Sequence, residues 1–275
     1  MMKVIVPTSD KYQFIMPVFC QLFNKYWPNQ ECIILCYSQI KDKLPDNFEI
    51  ISLGPDNKDW TAGLRPFFSS FKDEYFVLHL EDHILTDYVK INKLKIMENE
   101  IISGADKAML HSHLNIFSQP LHDDILLINQ DIDYRTTIHT AIWRTSYFLK
   151  YLQYNCSNVF AFELIKDARN DGAKIVSLKS INSYQDHIID FMNLFRNKQV
   201  DTSMTGLWHE EDLEILLQIP LSEVNRQILI RKTNNYCPIC NKKVDRFLII
   251  QRHEMKQYEI YGTCIYCQKE REQKI

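Results

Sequence analysis

The stretch Tyr75-Phe-Val-Leu-His-Leu-Glu-Asp-His83 decides how this sequence is interpreted. Its apolar first half predicts a buried β-strand, and the strand leads directly into two adjacent carboxylates, Glu81 and Asp82. Hard divalent cations such as Mg²⁺ and Mn²⁺ prefer carboxylate and water oxygens, and the imidazole of His83 would suit Mn²⁺. The stretch therefore predicts a cation site formed by Glu81, Asp82 and His83, able to hold a diphosphate.

Two plainer interpretations of the same stretch stay open. Glu81 and Asp82 would equally well begin a solvated loop or cap the next helix, as paired carboxylates often do. His79 lies on the same face of the predicted strand as Glu81 and His83, and a histidine in such a position is more often an interior residue with a hydrogen-bond partner.

Outward from this strand, apolar strand-sized runs alternate with amphipathic helical patterns. Continuous apolar strands separated by helices predict an α/β fold with a mostly parallel sheet flanked by helices, whose ligands bind beyond the carboxyl ends of the strands. One domain over residues 1–225 is expected. The predicted strands cover 3–7, 31–37, 48–53, 74–80, 107–114, 125–129, 137–143 and 174–178, and the predicted helices cover 12–26, 60–72, 88–103, 146–154, 158–169, 186–196 and 210–217.

Composition excludes several classes of protein. With 275 residues, 45% hydrophobic content and only 6 Gly, the chain is neither disordered nor fibrous, and no fixed-period repeat marks it as a solenoid. No apolar run approaches the roughly 18 residues of a membrane span, and the N-terminal apolar run is too short for a signal peptide. We therefore expect a protein without a membrane span and with a cytoplasmic location, where cysteines stay reduced.

The last fifty residues, 226–275, differ from the rest. They carry a formal charge of +6 against −9 for residues 1–225. Two Cys-x-x-Cys pairs bracket two β-rich runs, and this spacing predicts a four-cysteine zinc ribbon, a small β module in which tetrahedral Zn²⁺ replaces a hydrophobic core. A redox role for the pairs is less favoured because no βαβ pattern surrounds them. The predicted zinc ligands are Cys237, Cys240, Cys264 and Cys267.

The ribbon's basic side chains leave two roles open. They would contact nucleic acid through phosphates and stacked bases, or they would form a solvated face packed on the acidic main domain. Because four cysteines close the coordination sphere, the predicted zinc is structural and takes no part in catalysis.

Five stretches together resemble bacterial and viral family-2-like glycosyltransferases of the GT-A fold, over about residues 1–210. In that family an acidic motif closes a central strand and holds a metal ion on the sugar nucleotide, and here the motif falls on the carboxylates of the opening stretch. The matching stretches are Lys3-Val-Ile-Val-Pro-Thr-Ser-Asp10, Trp60-Thr-Ala-Gly-Leu64, Tyr75 to His83, Ala141-Ile-Trp143 and Phe160-Ala-Phe-Glu163.

The resemblance implies roles for further residues. Pro7, Thr8 and Asp10 would line the nucleotide pocket, although the polar residues here would also serve as the turn and N-cap of the next helix. Trp60 would flank the donor, or belong to the core. Glu163 would be the general base that deprotonates the acceptor hydroxyl, or simply a glutamate favoured by the dipole at a helix N-terminus.

His139 and His209 are weaker candidates for contacts with substrate or metal.

The function implied by the resemblance is a metal-dependent transfer of a sugar from a nucleotide sugar to an acceptor hydroxyl, with inversion. The acceptor would be a glycan or, given the basic ribbon, a hydroxylated base in DNA. Two other functions stay open: a zinc-ribbon nucleic-acid-binding protein whose α/β domain is an inactive scaffold, and nucleotidyl transfer by the same metal and diphosphate chemistry.

Overall fold

The computed structural model describes residues 2–38, 40, 43–54, 59–179, 188–193, 195–196, 199–200, 210–222, 247–250 and 261–264. The strands are β1 (Val4–Pro7), β2 (Cys32–Cys36), β3 (Phe48–Ser52), β4 (Tyr75–Leu78), β5 (His83–Leu85), β6 (Lys107–Met109), β7 (Ser118–His122), β8 (Ile125–Ile128), β9 (Ala141–Arg144), β10 (Ile175–Leu178), β11 (Phe191–Asn193), β12 (Phe195–Arg196), β13 (Gln199–Val200), β14 (Phe247–Ile250) and β15 (Tyr261–Cys264). The α-helices are α1 (Met16–Tyr26), α2 (Trp60–Ser70), α3 (Ile91–Ile102), α4 (Thr145–Leu152), α5 (Val159–Glu163) and α6 (Leu213–Leu216).

Nine strands form one mixed sheet in the order β3-β2-β1-β4-β9-β6-β10-β8-β7. Parallel pairing joins β3, β2, β1 and β4, whereas β9 runs antiparallel to both of its neighbours, β4 and β6, and β8 runs antiparallel to β10 and β7. β6 and β10 also pair in parallel, so four of the eight pairings in this sheet are parallel and the prediction of a mostly parallel sheet is right only in part. A strand covered on both faces is apolar throughout whichever way it runs, so its composition does not record its direction.

Helices cover both faces of the sheet, and this part of the prediction is confirmed. Alternate residues of β1 belong to different cores: Val4 and Val6 pack in the core that contains α1 and α3, while Ile5 packs in the core that contains α2 and α4. The second core is rich in aromatic rings, such as Phe68 and Phe148, whose centroids lie 4.7 Å apart. The sheet is thus buried on both sides, which leaves its strand ends to carry polar chemistry.

The helices predicted over 12–26 and 186–196 differ in the structure. The pattern over 12–26 begins as a 3₁₀ turn, Asp10–Ile15, and the α-helix starts only at Met16, with a proline in its first turn. The helix predicted over 186–196 is wrong where the structure describes it, because Phe191–Asn193 is a strand that pairs antiparallel with β5. Its partner lies about a hundred residues earlier in the chain, so a local pattern contained no sign of the pairing.

The predicted helix over 210–217 is a 3₁₀ turn followed by α6, and it is fastened to α1. Asp212 is fully buried, and its carboxylate accepts hydrogen bonds from the Tyr26 hydroxyl at 2.5 Å and from Lys25 Nζ at 2.6 Å. Lys25 also contacts Glu211, whose side chain is 69% exposed. One lysine therefore bonds two neighbouring carboxylates in opposite environments.

Asp212→Ala is expected to lower the free energy of unfolding by about 1.5–3 kcal/mol, because it removes charge-assisted hydrogen bonds from a buried position. Glu211→Ala is the matched control on the same lysine and should cost about 0–1 kcal/mol, since solvent screens the exposed pair. Urea unfolding of both variants tests this, and equal losses would contradict it.

The predicted zinc ribbon is described only in part. The strands β14 and β15 pair antiparallel, with Phe247 opposite Cys264, whereas the second β-rich run was expected about four residues earlier. Cys237, Cys240 and Cys267 lie outside the described residues, as do His209 and the predicted boundary between 225 and 226. Within the described part of the chain, no helix has the length and apolar character needed to cross a membrane.

Candidate functional site

Glu81 and Asp82 form the turn between β4 and β5, at the carboxyl end of the central strand. The turn is closed by a hydrogen bond from the His83 backbone N–H to the Leu80 carbonyl at 3.2 Å. Glu81 is only 8% exposed, so it does not begin a solvated loop, and the next element is a strand, so neither residue caps a helix. The structure therefore excludes the helix-cap interpretation for the pair and the solvated-loop interpretation for Glu81, while Asp82 is partly exposed.

Burial gives Glu81 an unusual electrostatic state. Removal from solvent, reinforced by the negative charge of Asp82, raises the pKa of Glu81 to about 8. Backbone N–H groups, including that of Ser9 at 3.4 Å, and the charge of Lys11 oppose the rise only partly. At neutral pH the carboxyl group therefore holds a proton unless another positive charge is present, and a divalent cation would supply that charge.

The residues after β1 lie next to this acidic turn. Thr8 is buried, and its backbone N–H donates to the Leu35 carbonyl at 2.8 Å. Asp10 is exposed and accepts hydrogen bonds from the Ser38 backbone N–H and the Gln13 side chain, each at 3.0 Å. Asp10 thus stabilises the local turn in this structure, and the nucleotide roles of Pro7, Thr8 and Asp10 stay predictions.

Trp60 is the first residue of α2 and is partly buried. Its ring packs edge-on against Phe162, with centroids 5.2 Å apart, and the two belong to the same aromatic core. This geometry favours the core interpretation of Trp60. The contact also holds the start of α2 against α5, the helix that ends at Glu163.

Three histidines, His79, His83 and His139, lie at the same end of the sheet as the Glu81–Asp82 turn. His79 is the interior residue that the plainer interpretation expected: its ring bonds the Thr140 hydroxyl at 2.8 Å and the His83 carbonyl at 2.7 Å, and burial lowers its pKa to about 4. The His83 ring stacks on Phe191 at 4.0 Å and lies 5.7 Å from the ring of His139. Burial lowers the pKa of His83 and of His139, so both rings are neutral.

Glu163 is the last residue of α5, not a residue at the start of a helix. A carboxylate at a helix C-terminus is disfavoured by the dipole, so the interpretation that the dipole places Glu163 there is wrong. Instead, Oε1 of Glu163 accepts hydrogen bonds from the Thr137 hydroxyl at 2.8 Å and the Ile138 backbone N–H at 2.9 Å. Oε2 takes part in neither bond, so the carboxylate is fixed through one oxygen.

The sheet brings these groups to one edge. Because β9 is antiparallel to β4, its first residue, Ala141, pairs with Leu78, the last residue of β4. The residues just before β9 include His139, whose titration is influenced by the charge of Glu163. The end of the sheet formed by the last residue of β4 and the first residue of β9 therefore carries the acidic turn, the histidines and the Glu163 carboxylate.

The donor set fits a divalent cation in part. Glu81 and Asp82 offer adjacent carboxylates, and a cation would offset both the burial of Glu81 and the charge of Asp82, which together raise the pKa of Glu81. Among the described residues, however, no group of three or more His, Cys, Asp or Glu side chains is placed to hold a metal ion. His83 faces Phe191 in a stack, so oxygens of a diphosphate and of water would have to complete the coordination.

A buried lysine near this site was not predicted from the sequence. Lys107, the first residue of β6, is completely buried, and Nζ donates to the carbonyls of Arg135 at 3.1 Å and Thr137 at 2.6 Å. A lysine at the start of a strand normally extends into solvent. Its only sequence signal is its place at the head of an apolar strand run, which is not enough to predict burial.

The fold and this edge define a mixed α/β protein with a nine-stranded sheet flanked by helices and a polar site at the strand ends. No protein family profile matches the chain, and no curated protein matches it. Solved structures similar to it include S. aureus TarS residues 1–349 in complex with UDP, with 12% identity and a TM-score of 0.45 over 86% of this chain and 71% of that one. UDP-glucose pyrophosphorylase complexed with UDP-glucose has 8% identity and a TM-score of 0.43 over 70% of this chain and 92% of that one.

A further similar structure is UTP-bound UGPase from Acinetobacter baumannii, with 10% identity and a TM-score of 0.43 over 65% of this chain and 85% of that one. These similarities are too weak to transfer an activity.

Proposed function

We propose that this chain is a metal-dependent glycosyltransferase of GT-A-like fold, which transfers a sugar from a nucleotide-sugar donor to an acceptor hydroxyl with inversion. One observation carries the proposal: two carboxylate groups in different environments share one edge of the sheet. The Glu81–Asp82 turn is an acidic pair with Glu81 buried and Asp82 partly exposed, which suits a cation, and Glu163 is a separate carboxylate with one oxygen outside its anchoring bonds.

The acidic turn is assigned to the donor diphosphate. Glu81 and Asp82 would hold Mn²⁺ or Mg²⁺, with oxygens of the diphosphate and of water as the remaining ligands; when bound, the cation supplies the positive charge that stabilises a departing nucleoside diphosphate. The adjacent loop after β1, with Pro7, Thr8 and Asp10, is assigned to the nucleotide.

Glu163 is assigned to the acceptor. Its anchored carboxylate takes the proton of the acceptor hydroxyl while the hydroxyl oxygen forms a bond to the anomeric carbon of the sugar. The bond from that carbon to the diphosphate breaks, and the nucleoside diphosphate leaves with the electron pair. Attack from the face opposite the leaving group inverts the configuration at that carbon.

The direct test is a scan of sugar nucleotides with Mn²⁺, following thermal shift, slow donor hydrolysis and product identity. Asp82→Ala should weaken Mn²⁺-dependent donor binding by at least about tenfold, because it removes a cation ligand. Unchanged binding in this variant would contradict the assignment of the acidic turn. Products in which the bond at phosphorus has been exchanged would indicate nucleotidyl transfer instead.

The raised pKa of Glu81 makes a prediction about pH. The folded state holds this proton up to about pH 8, whereas an unfolded glutamate releases it near pH 4.5, so without metal the protein loses stability as pH rises through this window. Metal binding must displace the proton, so the thermal shift caused by Mn²⁺ should grow from pH 6 to pH 8.

Glu81→Gln tests both the pH dependence of stability and the pH dependence of the Mn²⁺ thermal shift. The variant should show a stability difference from the parent that increases with pH by about 1.4 kcal/mol per pH unit within this window. Its Mn²⁺ shift should also be smaller and nearly independent of pH. A parallel pH dependence in the parent and the variant would show that Glu81 does not titrate in this range.

The finer features of this function rest on the sequence. The acceptor is proposed to be a glycan or a hydroxylated base in DNA, the location cytoplasmic, and structural Zn²⁺ is proposed to be held by the predicted ribbon, through Cys237, Cys240, Cys264 and Cys267. Zinc analysis of the purified full chain tests the last of these. A salt-sensitive affinity for DNA would favour the nucleic-acid acceptor.

A further inference from the structure

Lys107 is a fully buried lysine in the protein core and has no part in the mechanism above. Its Nζ donates to the carbonyls of Arg135 and Thr137 and lies 3.9 Å from the centroid of the Trp143 ring, which covers it. Burying an amine is costly unless its hydrogen bonds are made, so these two bonds explain how the lysine is accommodated.

The segment that Lys107 contacts also holds the end of α5. From residues 136–138, the Thr136 hydroxyl donates to the Phe162 carbonyl at 2.7 Å, and the Thr137 hydroxyl and Ile138 N–H donate to Oε1 of Glu163. The segment therefore offers carbonyls to Lys107 on one side and donors to Glu163 on the other.

We propose that Lys107 is a positioning residue for the Glu163 carboxylate, acting through the backbone of residues 135–138; its effect on catalysis rests on the proposed function. With both carbonyls bonded to Nζ, the segment is fixed so that the Thr137 hydroxyl and Ile138 N–H meet one carboxylate oxygen. Without the two bonds from Nζ, residues 135–138 are held less firmly, and the buried carbonyls of Arg135 and Thr137 lose their donors.

The chemistry of Lys107 supports this role. Burial lowers the pKa of its amine well below the ordinary value, although the charge of Glu163 opposes the change. Charged or uncharged, the amine has at least the two N–H bonds that the two carbonyls accept. An apolar side chain of the same length would fill the space without anchoring the segment.

The test is Lys107→Met in the full chain, which keeps an unbranched apolar side chain as far as Cε and removes the Nζ donors. We expect faster hydrogen exchange in peptides spanning residues 134–140, by about tenfold or more relative to the rest of the protein. We also expect kcat to fall by about a hundredfold, as for a misplaced catalytic group, with the KM for the donor changed less than about twofold.

Ile34→Val is the matched control, because Ile34 is equally buried but lies on β2, away from this segment. It should lower the melting temperature without a selective change in exchange at 134–140 or a loss of kcat. Thr137→Val is a second variant, which keeps the shape and removes one bond to Glu163. It should reduce kcat by about tenfold, and its effect should not multiply with that of Lys107→Met.

The outcomes are separable. Exchange at 134–140 that follows the rest of the protein in Lys107→Met would overturn the proposal, whatever activity is measured. If Lys107→Met does not fold, unchanged exchange and unchanged kcat in Thr137→Val would overturn it. If the wild-type protein transfers no sugar, the proposed function fails, while selective exchange still supports Lys107 as the residue that positions Glu163.

Discussion

Glu163→Gln is expected to reduce the rate of sugar transfer by about 10²- to 10⁴-fold, the range contributed by a general base. The amide oxygen of glutamine still accepts hydrogen bonds from the Thr137 hydroxyl and the Ile138 N–H, so the local structure is kept while the proton acceptor is lost. Donor binding should be unchanged, because donor contacts are assigned to the acidic turn. Steady-state kinetics with the sugar nucleotide found in the scan, together with a thermal melt, measures both.

Glu49→Gln serves as the control for this substitution. Glu49 is an exposed glutamate on β3, at the far edge of the parallel half of the sheet, and its change to glutamine should leave kcat unaltered. If Glu163→Gln retained the parent kcat, Glu163 would not be the base, and the acceptor half of the proposed mechanism would have to be abandoned.

Asp171→Ala is expected to lower the free energy of unfolding by about 3–5 kcal/mol. The Asp171 side chain is 2% exposed, and it accepts hydrogen bonds from the Tyr151 hydroxyl at 2.5 Å, from Ala173 N–H at 3.0 Å and from Arg135 at 3.2 Å. Removing the carboxylate would leave the Arg135 guanidinium buried without its counter-charge, which is the costly way to break a buried ion pair.

The Asp171 carboxylate also makes the stability of the folded protein sensitive to acid. Burial tends to raise the pKa of Asp171, but the bonds from Tyr151 and Ala173 and the charges of Arg135 and Lys150 outweigh it and hold the pKa below its ordinary value of 3.8. A depressed pKa contributes stability that is present above pH 4 and is lost as pH falls through the folded pKa. As pH falls below 4, the free energy of unfolding should therefore decrease less in Asp171→Ala than in the parent protein.

Asp133→Ala is the control for this ion pair. Asp133 also bonds an arginine, Arg169, through Nε at 2.9 Å, but both side chains are about two-fifths exposed. Its loss should cost about 0–1 kcal/mol in urea unfolding. Similar losses in Asp133→Ala and Asp171→Ala would show that burial does not set the strength of the Asp171 pair.

Only some of the polar residues of the candidate site could be predicted from the sequence. The acidic turn after β4 was located correctly, because a strongly apolar strand followed at once by carboxylates is a local signal. Glu163 was selected by resemblance, yet its anchoring could not be predicted: its partners, Thr137 and Ile138, lie some 25 residues earlier and meet it only through the loop before β9. Lys107 was missed altogether for the same reason.

The sequence by itself determined which segments are buried, that strands alternate with helices, and that a buried strand leads into Glu81 and Asp82. These properties depend on the periodicity of apolar side chains along a short stretch, which local composition records. Only the tertiary structure decided that β9 runs antiparallel between β4 and β6, that 191–193 is a strand paired with β5, and that a buried lysine lies beneath the segment holding Glu163. Those outcomes depend on which distant segments meet, and the pattern of a single segment does not specify its partner.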